Sequence, residues 1–515
     1  MIDRDYWFAK KDKKFLHNID TFYYSVKLCN DLTRESKDPD VLRLRRVVDK
    51  YHTLDIESTL FRDVDYPVEV MYHRGTYSSY YNFLLDIPEK YVFCIASVVP
   101  PASSGIGSVT SEILVKIHAR VLWEMGATLA FEESYQYVQA FCKHFHLTIQ
   151  EVKENRVDYA WHTNALQNPE TYFRIDHFAE MQVSRFDGIN YHYKFKNRRT
   201  CPECMDEDET SYEWDYCSMG RRGAKCFVRI YLKTKEVVEM GYKGWFLYTW
   251  LFQGLISRYD LYVLERAYQR RRWNYCDIAR LEFALEYDDT LSDVERQFIR
   301  AHITSDTPDY ASIARLADKY TPKLTKILNV EFQTMRKMSK SFQLLQVRDN
   351  DAQGPAKRIY DYLDNRRLIT ESLTHNTLRL VRTDRTDGNK WRADYTDFWR
   401  RLRGTRQVDV VCNKHDLKLI REYTSQLNME VRKTKAARAV SSFALALNHN
   451  PETTIYEDAA ELLAVLNDND FQRLFHYKHV RMRRETDDPL HDYVRQRRVA
   501  IVDETGEIYE NTGYD

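Results

Sequence analysis

Tyr231 lies between two cations, Arg229 and Lys233, each two residues away, and this spacing is the strongest chemical signal in the chain. On an extended backbone the three side chains share a face. A free phenol titrates near ~10 and is a poor nucleophile at neutral pH. Two cations beside it would stabilise the phenolate and hold a phosphate for it to attack. Asp158, with His162 four residues on, and Glu282 add hard oxygen donors suited to Mg2+ or Mn2+. Such an ion polarises the non-bridging oxygens of a phosphodiester. The chemistry that unites these residues is metal-dependent transesterification, in which Tyr231 becomes a phosphotyrosine ester and a 3′-hydroxyl is released.

Three strand-like stretches must position these groups. In Arg156 to His162, Val157, Tyr159 and Trp161 alternate with Asp158, Ala160 and His162. In Val228 to Lys233, Val228, Ile230 and Leu232 alternate with Arg229, Tyr231 and Lys233. In Arg280 to Glu286, Leu281, Phe283 and Leu285 alternate with Arg280, Glu282, Ala284 and Glu286. An antiparallel sheet with one wet face gives the same pattern without any chemistry. Catalysis requires Asp158, Tyr231 and Glu282 to enter one pocket from neighbouring strands.

Arg156-Val157-Asp158-Tyr159-Ala160-Trp161-His162, Arg229-Ile230-Tyr231-Leu232-Lys233 and Arg280-Leu281-Glu282 occur in that order. They resemble the R-(L/V)-D-x-A-(F/W)-D, R-I-Y-x-K and R-(V/L)-E strands of the trans-acting Rep family, the rolling-circle initiators of Gram-positive plasmids, and of related integrative-element relaxases. The resemblance covers roughly residues 18 to 287. It also places strands at Ile19-Asp20 and from Lys90 to Pro101. It implies that Tyr231 nicks DNA, that Arg229 and Lys233 position the phosphate, and that Asp158 and Glu282 bind metal. His162 stands where the family has a second Asp, and is either a metal ligand, a proton-transfer group or neither.

The rest of the chain is compatible with this reading. Its 515 residues suffice for two or three domains, and 43% apolar with 30% charged residues is a globular composition. Lys plus Arg equals Asp plus Glu at 77 each, so net charge does not point to nucleic acid. No stretch approaches the ~20 apolar residues of a membrane span, and no signal peptide is apparent at the N-terminus. The expectation is a cytoplasmic protein. Asn18 to Leu28 and Lys90 to Val99 read as strands, and Val109 to Phe145 as long helical patterning broken at Gly126. Past about Asp288, helical patterns cover Leu291 to His302, Tyr310 to Lys319 and Ala459 to Leu474. The expected architecture is α+β: residues 1–290 form a catalytic domain with a central antiparallel sheet flanked by helices, and residues 291–515 form a mainly helical region for DNA or partner binding.

Other signals are weaker. Cys201 and Cys204, with Cys217 and Cys226, fall in an insertion at about 197–226 and suggest a zinc site; a solvated loop with free thiols explains them equally well. His144-Phe145-His146 spells a metal-binding motif, but its place at the end of a helical run favours a helix terminus. Asp309 to Leu328 hints at a helix-turn-helix with Ile313, Leu316 and Ala317 inward, and also reads as an ordinary amphipathic hairpin. Arg400, Arg401 and Arg403, Arg432, Lys433 and Lys435, and Arg481, Arg483 and Arg484 are basic clusters, near Trp391 and Trp399, suited to phosphate contacts.

The expected function is therefore a rolling-circle replication initiator that nicks single-stranded or extruded origin DNA. Its expected partners are DNA, a helicase and a second copy of the chain. Two alternatives are a conjugative relaxase, which makes the same bond at a transfer origin, and a DNA-binding protein of this fold that does not cut.

Overall fold

Two long strands form the spine of the protein. In this computed structural model β1 (Phe15–Leu28) and β7 (Ile149–Thr163) pair antiparallel along almost their whole length. Both are rich in the β-branched and aromatic residues that suit a pleated, packed surface. One flank adds β6 (Ile113–Ile117), β5 (Tyr91–Ile95), β4 (Phe83–Ile87), β3 (Met71–His73) and β2 (Ser58–Leu60). The other adds β12 (Leu328–Met335), β11 (Cys226–Leu232), β10 (Tyr212–Met219) and β9 (Ile189–Phe195). The eleven strands run in the order β2-β3-β4-β5-β6-β1-β7-β12-β11-β10-β9, with antiparallel neighbours throughout. A separate antiparallel pair joins β8 (Gln182–Ser184) to β13 (Leu378–Leu380). The structure describes residues 4–9, 14–78, 80–99, 111–186, 189–195, 212–305, 308–342, 344, 354–384 and 390–407, with short strands at 417–419, 499–502 and 508–509.

The described helices, which flank the sheet and one another, are α1 (Arg4–Phe8), α2 (Pro39–His52), α3 (Ala119–Met125), α4 (Ala127–His144), α5 (Pro169–Tyr172), α6 (Ile175–Met181), α7 (Lys233–Met240), α8 (Trp245–Gln253), α9 (Arg258–Arg270), α10 (Tyr275–Tyr287), α11 (Asp293–Ile303), α12 (Tyr310–Tyr320), α13 (Arg336–Ser339), α14 (Lys357–Asp364), α15 (Arg366–Ser372) and α16 (Asp397–Arg403). The apolar face of β1, β7 and β12 buries Phe22, Tyr24, Tyr159, Trp161 and Phe332. Against it pack Phe131 of α4, Tyr362 of α14 and Trp399 of α16. The other face receives Trp123 of α3 and Phe246 and Trp250 of α8, all in contact with His162. Behind α8 an apolar cluster including Val237, Leu247, Val263, Leu264 and Phe283 joins α7 through α10.

The architecture is α+β, a large antiparallel sheet flanked by helices, and the described residues past Asp288 are mainly helical. The expected division near residue 290 does not hold, because β12 lies between β7 and β11 and belongs to the heart of the sheet. One compact unit takes in Met1–Ser339 and Gln346–Val411, and a second takes in Lys340–Leu345 and Cys412–Asp515. In the second unit β14 (Leu417–Leu419), β15 (Val499–Val502) and β16 (Ile508–Tyr509) form a small antiparallel sheet.

Gly126 breaks the helical run at φ 83° as expected, but Leu114 and Ile117 belong to the strand β6. The run Ile-Leu-Val-Lys-Ile is too short and too β-branched to sustain a helix. The Asp309 helix forms with Ile313 and Ala317 buried, yet no second helix follows. Thr325 instead bonds Asp260 through its backbone N–H (2.8 Å) and hydroxyl (2.9 Å), drawing the chain extended into β12. His144 ends α4, and His144 and His146 meet Arg43 and Asp40 respectively. Arg400 pairs with Asp397, Arg401 and Arg403 lie over Phe15 and Tyr395, and Trp399 is buried. The clusters at 432–435 and 481–484 and the helical pattern at 459–474 lie outside the described residues. No described helix is long and apolar enough to cross a membrane.

Candidate active site

Register across three strands decides which side chains meet. His162 on β7, Asn329 on β12 and Tyr231 on β11 stand directly opposite one another. One step along, Ala160, Glu331 and Arg229 are level, and beyond them Asp158, Gln333 and Phe227. Directly opposed residues of an antiparallel sheet share a face, so the parity expected for β7 and β11 holds and β12 supplies the group between them. The alternation of Asn329, Glu331 and Gln333 with Val330, Phe332 and Thr334 is the signal that would have revealed this strand.

The Tyr231 hydroxyl has three partners. It donates to Glu331 Oε2 at 2.9 Å and accepts from Asn329 Nδ2 at 2.9 Å and Lys233 Nζ at 3.1 Å. Arg229 completes the group, with Nη2 3.5 Å from Glu331 and its guanidinium 4.2 Å from the Tyr231 ring centre. Lys233 is the first residue of α7 rather than part of the strand, and its buried ammonium lies 2.7 Å from Glu236 and 3.7 Å from Asp20. Burial disfavours that charge, but Asp20, Tyr231, Glu236 and Glu331 outweigh it and hold the lysine protonated well beyond its usual range. Burial and Glu331 push the Tyr231 phenol well above 10 against the pull of Lys233 and Arg229, so the resting side chain is neutral.

Asp20 belongs to this site and was legible only as part of a strand. It sits at an irregularity in β1, where the pairing with β7 slips between Ile19 and Thr21. Its carboxylate accepts from Trp123 Nε1 at 3.1 Å and lies 3.8 Å from Lys243. Burial acts to raise its pKa, but Lys233 and Lys243 hold the carboxyl well below the usual range.

His162 stacks on Trp123 at 4.7 Å and accepts Trp250 Nε1–H on Nδ1 at 3.2 Å. Burial, then Lys233, pushes its pKa far below 6.5, so the ring is neutral and Nε2 carries its proton. Among the described residues the buried polar atoms here that lack a hydrogen-bond partner include His162 Nε2, Asn329 Oδ1 and Arg229 Nε.

Asp158 is held by Arg156, through Nε at 2.9 Å and a second contact from Nη2. Burial pushes its carboxyl up to about 7; Arg156 opposes this, and the charges of Glu331 and Asp20 add to it.

Glu282 is elsewhere. Arg280 to Glu286 is not a strand but part of α10, where Glu282 accepts from Tyr275 (2.6 Å) and Arg266 (3.2 Å). Alternation over seven residues misled here, because Leu281, Phe283 and Leu285 fit a period of two while the longer series Cys276, Ala279 and Phe283 follows the helical period. Arg280 is buried against Asp277, Asp318 and Thr321. Glu331 is the acid that meets Tyr231.

These residues do not make a ready metal site. Asp158 is engaged by Arg156, Asp20 by two lysines, and Glu331 by Arg229, Asn329 and the phenol. His162 Nε2 carries a proton rather than a free lone pair. Among the described residues no three His, Cys, Asp or Glu side chains group closely enough to hold an ion. Cys217 and Cys226 are buried on β10 and β11, and burial pushes the Cys217 thiol far above its usual range. Cys201 and Cys204 lie outside the described residues.

No family model matches the chain, and no curated protein matches it. Among solved structures the chain is similar to a rolling circle replication initiator protein from Geobacillus stearothermophilus, with 11% identity and a TM-score of 0.32 over 76% of this chain and 96% of that one. So loose a likeness places no residue.

Proposed function

We propose that this chain is a DNA-nicking protein of the rolling-circle initiator kind, with Tyr231 as its nucleophile. The observation that carries this is the Tyr231 hydroxyl held between a carboxylate and an ammonium, with unpartnered N–H groups of His162 and Arg229 nearby. An orphaned buried donor calls for an explanation, and a phosphate oxygen supplies one. Glu331 accepts the phenolic proton as the Tyr231 oxygen attacks phosphorus, and Lys233 stabilises the oxyanion. The bond from phosphorus to the 3′-oxygen breaks, and the leaving oxygen takes a proton as a free 3′-hydroxyl. The phosphodiester energy is kept in a 5′-phosphotyrosine ester. Arg229 is the most accessible member of the group, with 24% of its side chain exposed, so its swing from the phenol ring onto a phosphate would uncover the nucleophile. Nicking at a transfer origin would use the same groups.

One observation favours a second reading, a DNA-binding protein that does not cut: Tyr231 is only 6% exposed. The two are separated by incubating the protein with a labelled single-stranded pool of random sequence, with and without Mn2+, and trapping adducts in detergent. A covalent adduct in the parent and none in Tyr231→Phe is the expected result. An adduct that persists in Tyr231→Phe moves the nucleophile elsewhere, and no adduct from either protein supports the second reading.

A further inference from the structure

Arg270, Arg271 and Arg272 follow one another at the exposed end of α9. A helix C-terminus welcomes one cation in its last turn, which accounts for Arg270 but not for all three. Arg266, one turn earlier, pairs with both Glu282 and Glu286, whereas among the described residues none of the three has a carboxylate partner. Arg271 caps the helix at φ 53°, a left-handed conformation usually left to glycine or asparagine.

The chain around this helix end ties the arginines to the candidate site. A Cβ on Gly241 would lie 2.7 Å from Arg271 Nε, and one on Gly244 2.8 Å from Tyr268 Cζ. The missing side chains therefore let the end of α9 pack directly on the loop between α7 and α8. From that loop Lys243 reaches to 3.8 Å from Asp20, whose carboxylate is 3.7 Å from Lys233, which in turn is 3.1 Å from the Tyr231 hydroxyl. The exposed arginines thus pack on the loop whose Lys243 joins the charged groups around the nucleophile.

We infer that Arg270, Arg271 and Arg272 form a phosphate-docking patch for single-stranded DNA, delivering the strand to Tyr231. This rests on the nicking function proposed above and names where its substrate is held. The contact is with backbone phosphate, so it is independent of sequence and governed by counterion release.

The test uses the full chain as Tyr231→Phe, which cannot cleave, and measures affinity for a labelled mixed-sequence single strand by anisotropy across a salt series. Replacing all three arginines by Gln is expected to reduce the slope of log affinity against log salt by about 2, from ~0.7 per phosphate contact. The three Arg→Lys changes should restore it. Because Arg271 packs on Gly241, the pair Arg270→Gln and Arg272→Gln serves as a second variant, with an expected reduction of about 1.4. An unchanged slope in variants with unchanged circular dichroism overturns the patch while leaving Tyr231 chemistry standing. A parent that binds no single strand overturns the nicking proposal and the patch together.

Discussion

Replacing Lys233 by Met removes a buried ammonium that serves Tyr231, Asp20 and Glu236 at once. Deleting one partner of a buried ion pair costs about 3–5 kcal/mol, chiefly because the abandoned charge stays buried. Lys243 remains 3.8 Å from Asp20, so the low end applies, about 3 kcal/mol. With a urea dependence of about 3 kcal/mol/M the midpoint should fall by about 1 M. The loss should depend on pH. Asp20 and Glu236 are held below their ordinary range, so their contribution is present above the unfolded carboxylate value near ~4 and fades as pH drops through the folded ones. Lys233 is held above its own range, so its contribution is full below ~10.4 and fades as pH rises past the folded value. The parent's advantage should form a plateau from about pH 5 to 10 and shrink below about pH 4. Urea melts of both proteins across that range check this. A difference that stays constant into acid would mean that Lys233 stabilises by packing alone, and would remove the electrostatic case for its action on Tyr231.

Glu331→Gln should slow single-turnover adduct formation by roughly 10²–10⁴, the usual weight of a general base, whereas Glu282→Gln should leave the rate unchanged; the reverse outcome would restore the helix acid to the site. Asp158 has a folded pKa raised to about 7, so its ionisation opposes folding. From about pH 4 to 7 the parent should lose stability relative to Asp158→Asn, and parallel pH profiles in urea would contradict this. Gly244→Ala should lower the urea midpoint by the equivalent of about 1–3 kcal/mol, because its Cβ would meet the Tyr268 ring at 2.8 Å; no change would show that the loop yields freely.

Much of the site was readable because alternation is local. The faces of β7 and β11 followed from Val157, Tyr159 and Trp161 against Asp158 and His162, and from Ile230 against Arg229 and Tyr231. The third strand was misassigned, since Leu281, Phe283 and Leu285 satisfy both periods over so short a window, and the true strand lay past a boundary drawn from charged helical patterns. His162 shows the same limit: its residue type suggests a ligand, while Trp123 and Trp250 make it a neutral buried donor.

By itself the sequence determined that Arg229 and Tyr231 share a face, and that Asp158 and His162 share theirs, because strand geometry turns neighbours at spacing two to the same side. Only the tertiary structure decided which acid meets that tyrosine. Glu331 reaches Tyr231 across 100 positions of sequence, through a hydrogen-bond register between β11 and β12 that no local pattern encodes, and Asp20 arrives through a slip in the pairing of β1 with β7. Such contacts depend on how distant segments pair, and a one-residue change of register would turn every one of these side chains to the opposite face.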